Sequence, residues 1–106
     1  MTAHYGDLNP QLTQAVNALA RSDSLKVFFR PHAEMRMSER NIDHEAVMTC
    51  LAHGKAYEPY VEHGELRANV VHRGCAVRVV IGNIGHAEGD WKKLMKIAVV
   101  TVTETA

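Results

Sequence analysis

The chain is organised around the stretch Phe29-Arg30-Pro31-His32-Ala33-Glu34-Met35-Arg36-Met37-Ser38-Glu39-Arg40-Asn41-Ile42-Asp43. Pro31 suits the first position of a helix, because its ring fixes φ at a helical value and no N–H is left without a partner there. The helix is expected to end near Asn41, which tolerates the left-handed conformation of a C-terminal cap. Ala33 and Met37 are four residues apart, so this helix should turn an apolar side toward a core.

A second side of the same helix carries three groups that can be positively charged. His32, Arg36 and Arg40 are spaced by four residues and therefore share one stripe. In one interpretation the stripe is a solvated surface on which Glu34 and Glu39 pair with the arginines. In the other it is an anion site, in which the arginines bind phosphate and the histidine transfers a proton near neutral pH. The spacing alone leaves both open.

Length and charge limit the classes of function. The chain has 106 residues, which predicts a single domain over 1–106, with an N-terminal extension at 1–24 that holds one helix and a core at 25–104. The 12 lysines and arginines balance the 12 acidic residues, so no global field favours a nonspecific nucleic-acid binder. The N-terminus has no basic segment followed by an apolar run, and no apolar stretch approaches about twenty residues. We expect a soluble cytoplasmic protein without membrane contact.

The periodicity of apolar residues predicts an α+β domain. A first helix should begin at Pro10 and end around 21–24, and a third should lie between Asp43 as its cap and Gly54 as its stop. Strand-like alternation follows at 55–62, 66–72, 75–81 and 94–103, with tight turns at 63–64 and 73–74. The prediction is about three helices packed on one face of a four-stranded, mainly antiparallel sheet, with the last strand central.

The other face of the predicted sheet should collect polar residues. Arg67 and Arg78 alternate with apolar residues on neighbouring strands, and His72 lies beside the adjoining turn. Trp91 falls in a glycine-rich flap between the last two strands, where a lone tryptophan would be an unusual core residue and instead suggests contact with a partner chain or a base.

Several of these features together resemble a known family. His32-Ala33 with Arg36, then Glu39-Arg40-Asn41-Ile42-Asp43, a helix ending in Gly54, and a closing strand through Val99-Val100-Thr101-Val102 resemble the domain-of-unknown-function family 4258 (DUF4258). That family is similar in layout to the RelE/ParE-like and BrnT-like toxins of bacterial toxin–antitoxin systems. The resemblance covers roughly residues 27–103. It implies a RelE/ParE-like fold and metal-independent RNA cleavage, or a relative that keeps only binding. The balanced charge departs from the basic composition common among ribosome-dependent toxins.

RNA cleavage without metal needs a base, an acid and cations that stabilise charge on the phosphate. His32 is the first candidate for base or acid, although it could instead bond a nearby carbonyl at the helix start. Arg36 and Arg40 would bind phosphate, and together with His32 they should converge with the sheet arginines on one water-accessible hollow. Arg40 could alternatively cap the helix carbonyls. The candidate substrate-binding residues are Arg67, His72, Arg78 and Trp91, with His72 also a possible second proton carrier or simply a surface histidine.

No metal or cofactor is expected. The histidines lack a metal-ligand spacing, and the two cysteines, Cys50 and Cys75, do not form a Cys-x-x-Cys pair. The leading hypothesis is a toxin-like, metal-independent RNase acting on RNA and neutralised by an antitoxin or another protein partner. The alternative is a noncatalytic regulatory module that binds protein or nucleic acid on the same scaffold. A homodimer formed through the N-terminal helix is a further hypothesis.

Overall fold

The structure is a computed structural model that describes residues 5–22, 24–83, 94 and 96–104, without the side chains of Asn83 and Glu104. Its helices are α1 (Pro10–Ser22), α2 (Pro31–Arg40) and α3 (His44–His53), with one 3-10 turn at Ser24–Lys26. Its strands are β1 (Val27–Phe29), β2 (Lys55–Ala56), β3 (Tyr60–Glu62), β4 (Glu65–His72), β5 (Cys75–Asn83) and β6 (Ile97–Glu104).

The described strands form one open mixed sheet of six strands. The order is β1-β6-β5-β4-β2, and β3 also pairs with β4. β1 runs parallel to β6, while the remaining pairs are antiparallel. The expected α+β class with three helices is confirmed for the described residues. β6 has a neighbour on each side, as predicted for an interior strand, and lies next to the edge strand β1.

The predicted count of four strands is wrong for two reasons. The apolar segment before Pro31 contains β1, whose length of three residues gives too little alternation to predict a strand. The strand predicted over 55–62 is divided into β2 and β3, because Pro59 has no N–H and the Glu58 N–H donates to Asp7 O at 2.8 Å. The break therefore follows from a missing donor at Pro59 and from a competing acceptor, Asp7 O, for the Glu58 N–H.

α2 forms where the sequence predicts it. Pro31 is at its start, and Asn41 ends it in the left-handed region at φ 60° and ψ 39°. The Ile42 N–H donates to Met37 O at 2.9 Å, which satisfies a carbonyl of the last turn. Ala33 and Met37 are buried, and α2 packs against β6. The predicted apolar side of α2 is thus confirmed.

α3 is fixed at both ends. The Asp43 carboxylate accepts from the Ala46 N–H at 2.8 Å, as expected of a cap. Gly54 ends the helix with extended rather than left-handed backbone, and its N–H donates to Cys50 O at 2.7 Å. A Cβ at Gly54 would lie 2.4 Å from Cys50 O, so a close approach of backbone is what requires glycine here.

All three helices share one core with the sheet. α1 packs against α3, and its Asn17 Nδ2 donates to Leu51 O at 2.6 Å and to Gly54 O at 3.1 Å. Helix and strand residues that are fully buried together are Leu12, Val16, Ala33, Val47, Leu51, Ala56, Ala68, Val70, Val77, Val79, Ile97, Val99 and Val102. The apolar stripe of α1 is used inside its own chain.

The opposite face of the sheet carries the alternate residues of β4, β5 and β6. Tight turns at His63-Gly64 and Arg73-Gly74, with positive φ at all four residues, set the register of this meander as predicted. We call this surface the polar face and define it by Tyr60, Arg67, Asn69, Arg78 and Thr101.

Candidate functional site

The polar face brings two arginines and a phenol together on adjacent strands. Tyr60 on β3 is directly opposite Arg67 on β4. One step along, Asn69 on β4 is opposite Arg78 on β5, and Arg78 is opposite Thr101 on β6. Because directly paired residues point to the same face, these side chains share one surface. The structure therefore places Arg67 and Arg78 on the same face of the sheet, on adjacent strands.

Arg67 is buried and held by two carboxylates. Its side chain is 9% exposed, and its Nη1 lies 2.7 Å from Glu62 Oε1. Its Nη2 lies 2.8 Å from Glu65 Oε1. Burial of a guanidinium is unfavourable unless opposite charges and hydrogen bonds compensate it. These two contacts therefore fix the Arg67 side chain in place as well as balancing its charge.

Glu65 connects Arg67 to the segment before α2. Arg30 Nη1 and Nη2 donate to the two oxygens of Glu65 at 3.1 and 2.5 Å, a forked pair. Hydrogen bonds from Arg30 first and Arg67 second lower the pKa of Glu65 to about 2. The same pair raises the pKa of Arg30. A continuous network, Arg30–Glu65–Arg67–Glu62, thus borders the polar face; we call it the ion-pair network.

Tyr60 and Arg78 have buried polar atoms that the ion-pair network does not use. Tyr60 Oη, Arg67 Nε and Arg78 Nε are buried, and none makes a hydrogen bond with the part of the chain that the structure describes. Burial raises the pKa of Tyr60, and the nearby Arg78 charge lowers it by less, so the direction is upward. Asn69 also lies close enough to lower this pKa slightly, but no hydrogen bond of normal geometry joins it to the hydroxyl.

The α2 stripe is placed differently from the polar face. His32 is exposed and makes no polar contact with described residues. Arg36 Nη1 is 3.2 Å from Glu39 Oε2, in a pair with both side chains largely exposed. Arg40 Nη1 donates to Val102 O, which ties the end of α2 to β6. α2 packs through Ala33 and Met37 on the core side of the sheet, so the structure does not bring this stripe together with Arg67 and Arg78.

His72 also lies away from the two sheet arginines. It follows the buried Ala68 and Val70 in alternation, which puts it on the helix side of β4. Its ring centroid is 6.1 Å from that of His53, whose Nδ1 is 3.1 Å from Arg21 Nη2. Trp91 is the remaining predicted binding residue, and it lies outside the described residues. So do residues 84–93, which make up most of the predicted flap.

The sequence prediction missed the acidic part of the site. Glu62 and Glu65 flank the His63-Gly64 turn and are directly opposite each other. A two-residue hairpin turn fixes that pairing, and strand alternation then places Glu65 beside Arg67, so the signal was available. Arg30 could not be found this way, because its reach to Glu65 depends on the parallel pairing of β1 with β6.

Within the described ranges, no group of three or more His, Cys, Asp or Glu side chains could hold a metal ion. No described helix has the length and apolar character needed to cross a bilayer. The side chains of the polar face supply guanidinium, phenol, amide and hydroxyl groups, which suit the binding of an anion that accepts several hydrogen bonds.

Comparison with known proteins adds a family and no named function. A model of the family described as "Domain of unknown function (DUF4258)" matches residues 29–103, which includes α2, α3 and all six strands except the first two residues of β1 and the last residue of β6. Neither the curated proteins nor the solved structures give a match to this chain. The matched range contains every member of the polar face and of the ion-pair network.

Proposed function

We propose, from the premise that this chain belongs to the DUF4258 family, that it is a metal-independent ribonuclease of the toxin type and that the polar face is where RNA phosphate binds. The support for the activity class is the resemblance in layout to RelE/ParE-like and BrnT-like toxins that the sequence suggests. The observation that carries the proposal is the placement of Arg78 and Tyr60 on paired strands beside Arg67, with buried atoms of all three still able to hydrogen-bond.

The charges of this region favour an anion. Three arginines, Arg30, Arg67 and Arg78, stand against two carboxylates, Glu62 and Glu65, so one positive charge is in excess. Arg78 makes no ion pair among the described residues, and its charge is the one left for a ligand. A phosphate that accepts from Arg78 would also offset the unfavourable burial of an unpaired guanidinium nitrogen.

The chemistry divides between binding and proton transfer. Arg78, with Arg67 behind it, would stabilise charge that develops on the phosphate during cleavage. The ordinary pKa of a tyrosine, 10.0, already keeps the phenol protonated at neutral pH, and burial raises the pKa of Tyr60 further. Its hydroxyl would therefore act as a donor to a phosphate oxygen or to the leaving oxygen. His32, the first candidate from the sequence, would have to act from α2, on the other side of the sheet. Separate variants distinguish Tyr60 from His32.

The cleavage test uses a fluorescent single-stranded RNA in the presence of EDTA. We expect the wild type to cleave the RNA and Arg78→Met and Tyr60→Phe to lose at least about tenfold in rate, a factor that corresponds to one charge-assisted hydrogen bond. Arg73→Asn is the matched control, because it removes an exposed turn cation and asparagine tolerates the positive φ there. Unimpaired cleavage by Arg78→Met would reject the polar face, and loss in His32→Ala alone would move the chemistry to α2.

A noncatalytic binding module is the second candidate, and one observation favours it. The edge strand β1 leaves Phe28 51% exposed, and Leu25 just before it is 85% exposed. An apolar edge strand suits a protein partner that adds a strand to the sheet. In this reading an inhibitor or regulated protein binds β1, and RNA is not cut. Retention of a co-expressed neighbouring gene product by the wild type but not by Phe28→Ser, with no RNA cleavage by either protein, would favour it.

A further inference from the structure

The two cysteines of the chain meet in the folded protein, although they are 25 positions apart in the numbering of the sequence. Cys50 lies on α3 and is 1% exposed, and Cys75 is the first residue of β5 and is partly exposed. Cys50 Sγ lies 3.7 Å from Cys75 O and 3.4 Å from Val70 O. The proximity of the Cys75 side chain first and burial second raise the pKa of Cys50.

The surroundings of the pair distinguish the two thiols. Cys75 follows the Arg73-Gly74 turn and is directly opposite His72, at an end of the sheet that solvent reaches. Cys50 is enclosed by the core between α3 and the sheet. A small oxidant therefore meets Cys75 first, and the thiol nearest to a modified Cys75 belongs to Cys50. Thiol–disulfide exchange within a protein uses an accessible cysteine that attacks first and a second cysteine that resolves the mixed disulfide. Here Cys75 would be the attacking residue and Cys50 the resolving residue.

We propose that Cys50 and Cys75 are a site of reversible disulfide formation that joins α3 to β5. The Cys75 thiolate attacks one sulfur of a low-molecular-weight disulfide, forms a mixed disulfide and releases one thiolate. The Cys50 thiol, whose raised pKa makes this the slow step, then gives up its proton, attacks the Cys75 sulfur, forms the Cys50–Cys75 bond and releases the second thiolate. The two protons lost by the cysteines go to the two released thiolates, so the protein is oxidised by two electrons and the reagent is reduced to two thiols.

The bond would act on stability and leave the polar face unchanged. Cys75 alternates with Val77 and Val79, which places it on the helix side of β5, whereas Arg78 points to the other side. A link between α3 and β5 closes the loop that contains β2, β3 and β4, and so restricts the unfolded chain. The inference is independent of the proposed RNA activity, because no residue of the polar face takes part.

The test treats the folded protein with oxidised glutathione and follows intact mass, the number of free thiols after unfolding, and the peptide that carries each bond. The wild type should lose both thiols and two hydrogens in mass, without a glutathione adduct, and dithiothreitol should restore both. Oxidation should raise Tm by about 10–15 °C, the order expected for one cross-link that closes a loop of about 25 residues in a domain of this size.

Variants that lack one of the two cysteines distinguish an internal disulfide from other products of oxidation. Cys50→Ala should stop at a stable glutathione adduct on Cys75, and Cys75→Ala should keep an unreactive Cys50 until the protein is unfolded. A wild type that accumulates the Cys75 adduct, forms a disulfide between two chains, or keeps both thiols in the folded state would overturn the proposal.

Discussion

Arg30 binds both carboxylate oxygens of Glu65, at 3.1 and 2.5 Å, and so joins the residue before α2 to the first residue of β4. Glu65 in turn binds Arg67, the buried arginine of the polar face. Two segments that are distant in sequence are thus linked through one carboxylate. The position of Arg67 depends on a residue at the start of α2 as well as on its own hairpin.

The first prediction concerns this shared carboxylate. Glu65→Gln keeps the shape of the side chain but removes the charge that faces Arg30 and Arg67. We expect the free energy of unfolding to fall by about 1–3 kcal/mol, because a buried guanidinium loses one of its two anionic partners. Urea unfolding of both proteins at neutral pH measures this difference in the free energy of unfolding. Glu39→Gln, which affects the exposed pair with Arg36, is the control and should change stability by less than about 0.5 kcal/mol.

The second prediction is the pH dependence of the same group. The pKa of Glu65 is about 2 in the folded protein, below its ordinary value of 4.5. The folded state therefore binds the proton less readily than the unfolded chain, so the stabilisation is fully present above pH 4.5 and is lost as the pH falls toward 2. Unfolding curves between these values should show a smaller loss of stability in Glu65→Gln than in the wild type. Parallel curves for the two proteins would show that Glu65 does not contribute.

The third prediction concerns the close approach at Gly54. A Cβ there would meet Cys50 O at 2.4 Å and Val71 O at 2.8 Å, both of them backbone atoms that cannot easily move. We expect Gly54→Ala to destabilise the protein by more than about 1 kcal/mol through displacement of α3 from β4. Thermal unfolding provides the measurement. Gly64→Asn is the comparison, since nothing lies near its added Cβ and asparagine adopts its positive φ; a loss as large as that of Gly54→Ala would contradict the steric explanation.

The fourth prediction separates structure from chemistry at the end of α2. Arg40 donates to Val102 O and so connects α2 to β6. Arg40→Met should lower the free energy of unfolding by about 1–2 kcal/mol, the range for a lost hydrogen bond to a charged group, while RNA affinity stays the same. If Arg40→Met instead weakens RNA binding at unchanged stability, the phosphate-binding role predicted from the α2 stripe is correct and our placement of the site is not.

Local signals predicted much of the fold, and long-range contacts account for the rest. Pro31, Asn41, Asp43 and Gly54 mark the ends of α2 and α3 through their own backbone chemistry, so the helices could be predicted from neighbouring residues alone. β1 could not, because three residues form a strand only where β6 offers a parallel partner.

The same difference between local signals and long-range contacts applies to the candidate site. Arg67 and Arg78 could be paired from alternation within a meander whose turns were evident in the sequence. The expected meeting of these arginines with His32, Arg36 and Arg40 required knowledge of which side of the sheet α2 covers. Helical spacing places residues on one face of a helix but does not say what that face meets, and here Ala33 and Met37 direct α2 to the core side.

The affinity of Arg78→Met for single-stranded RNA, relative to that of the wild type, tests the central claim most directly. Fluorescence anisotropy in EDTA at fixed low salt would give both dissociation constants, with Arg73→Asn and His32→Ala measured beside them. We predict that Arg78→Met binds at least about tenfold more weakly than the wild type, as expected for the loss of one charged contact to phosphate, while both other variants stay within about twofold. Equal binding by Arg78→Met and the wild type, or no RNA binding by the wild type, would contradict the assignment of the polar face as an RNA site.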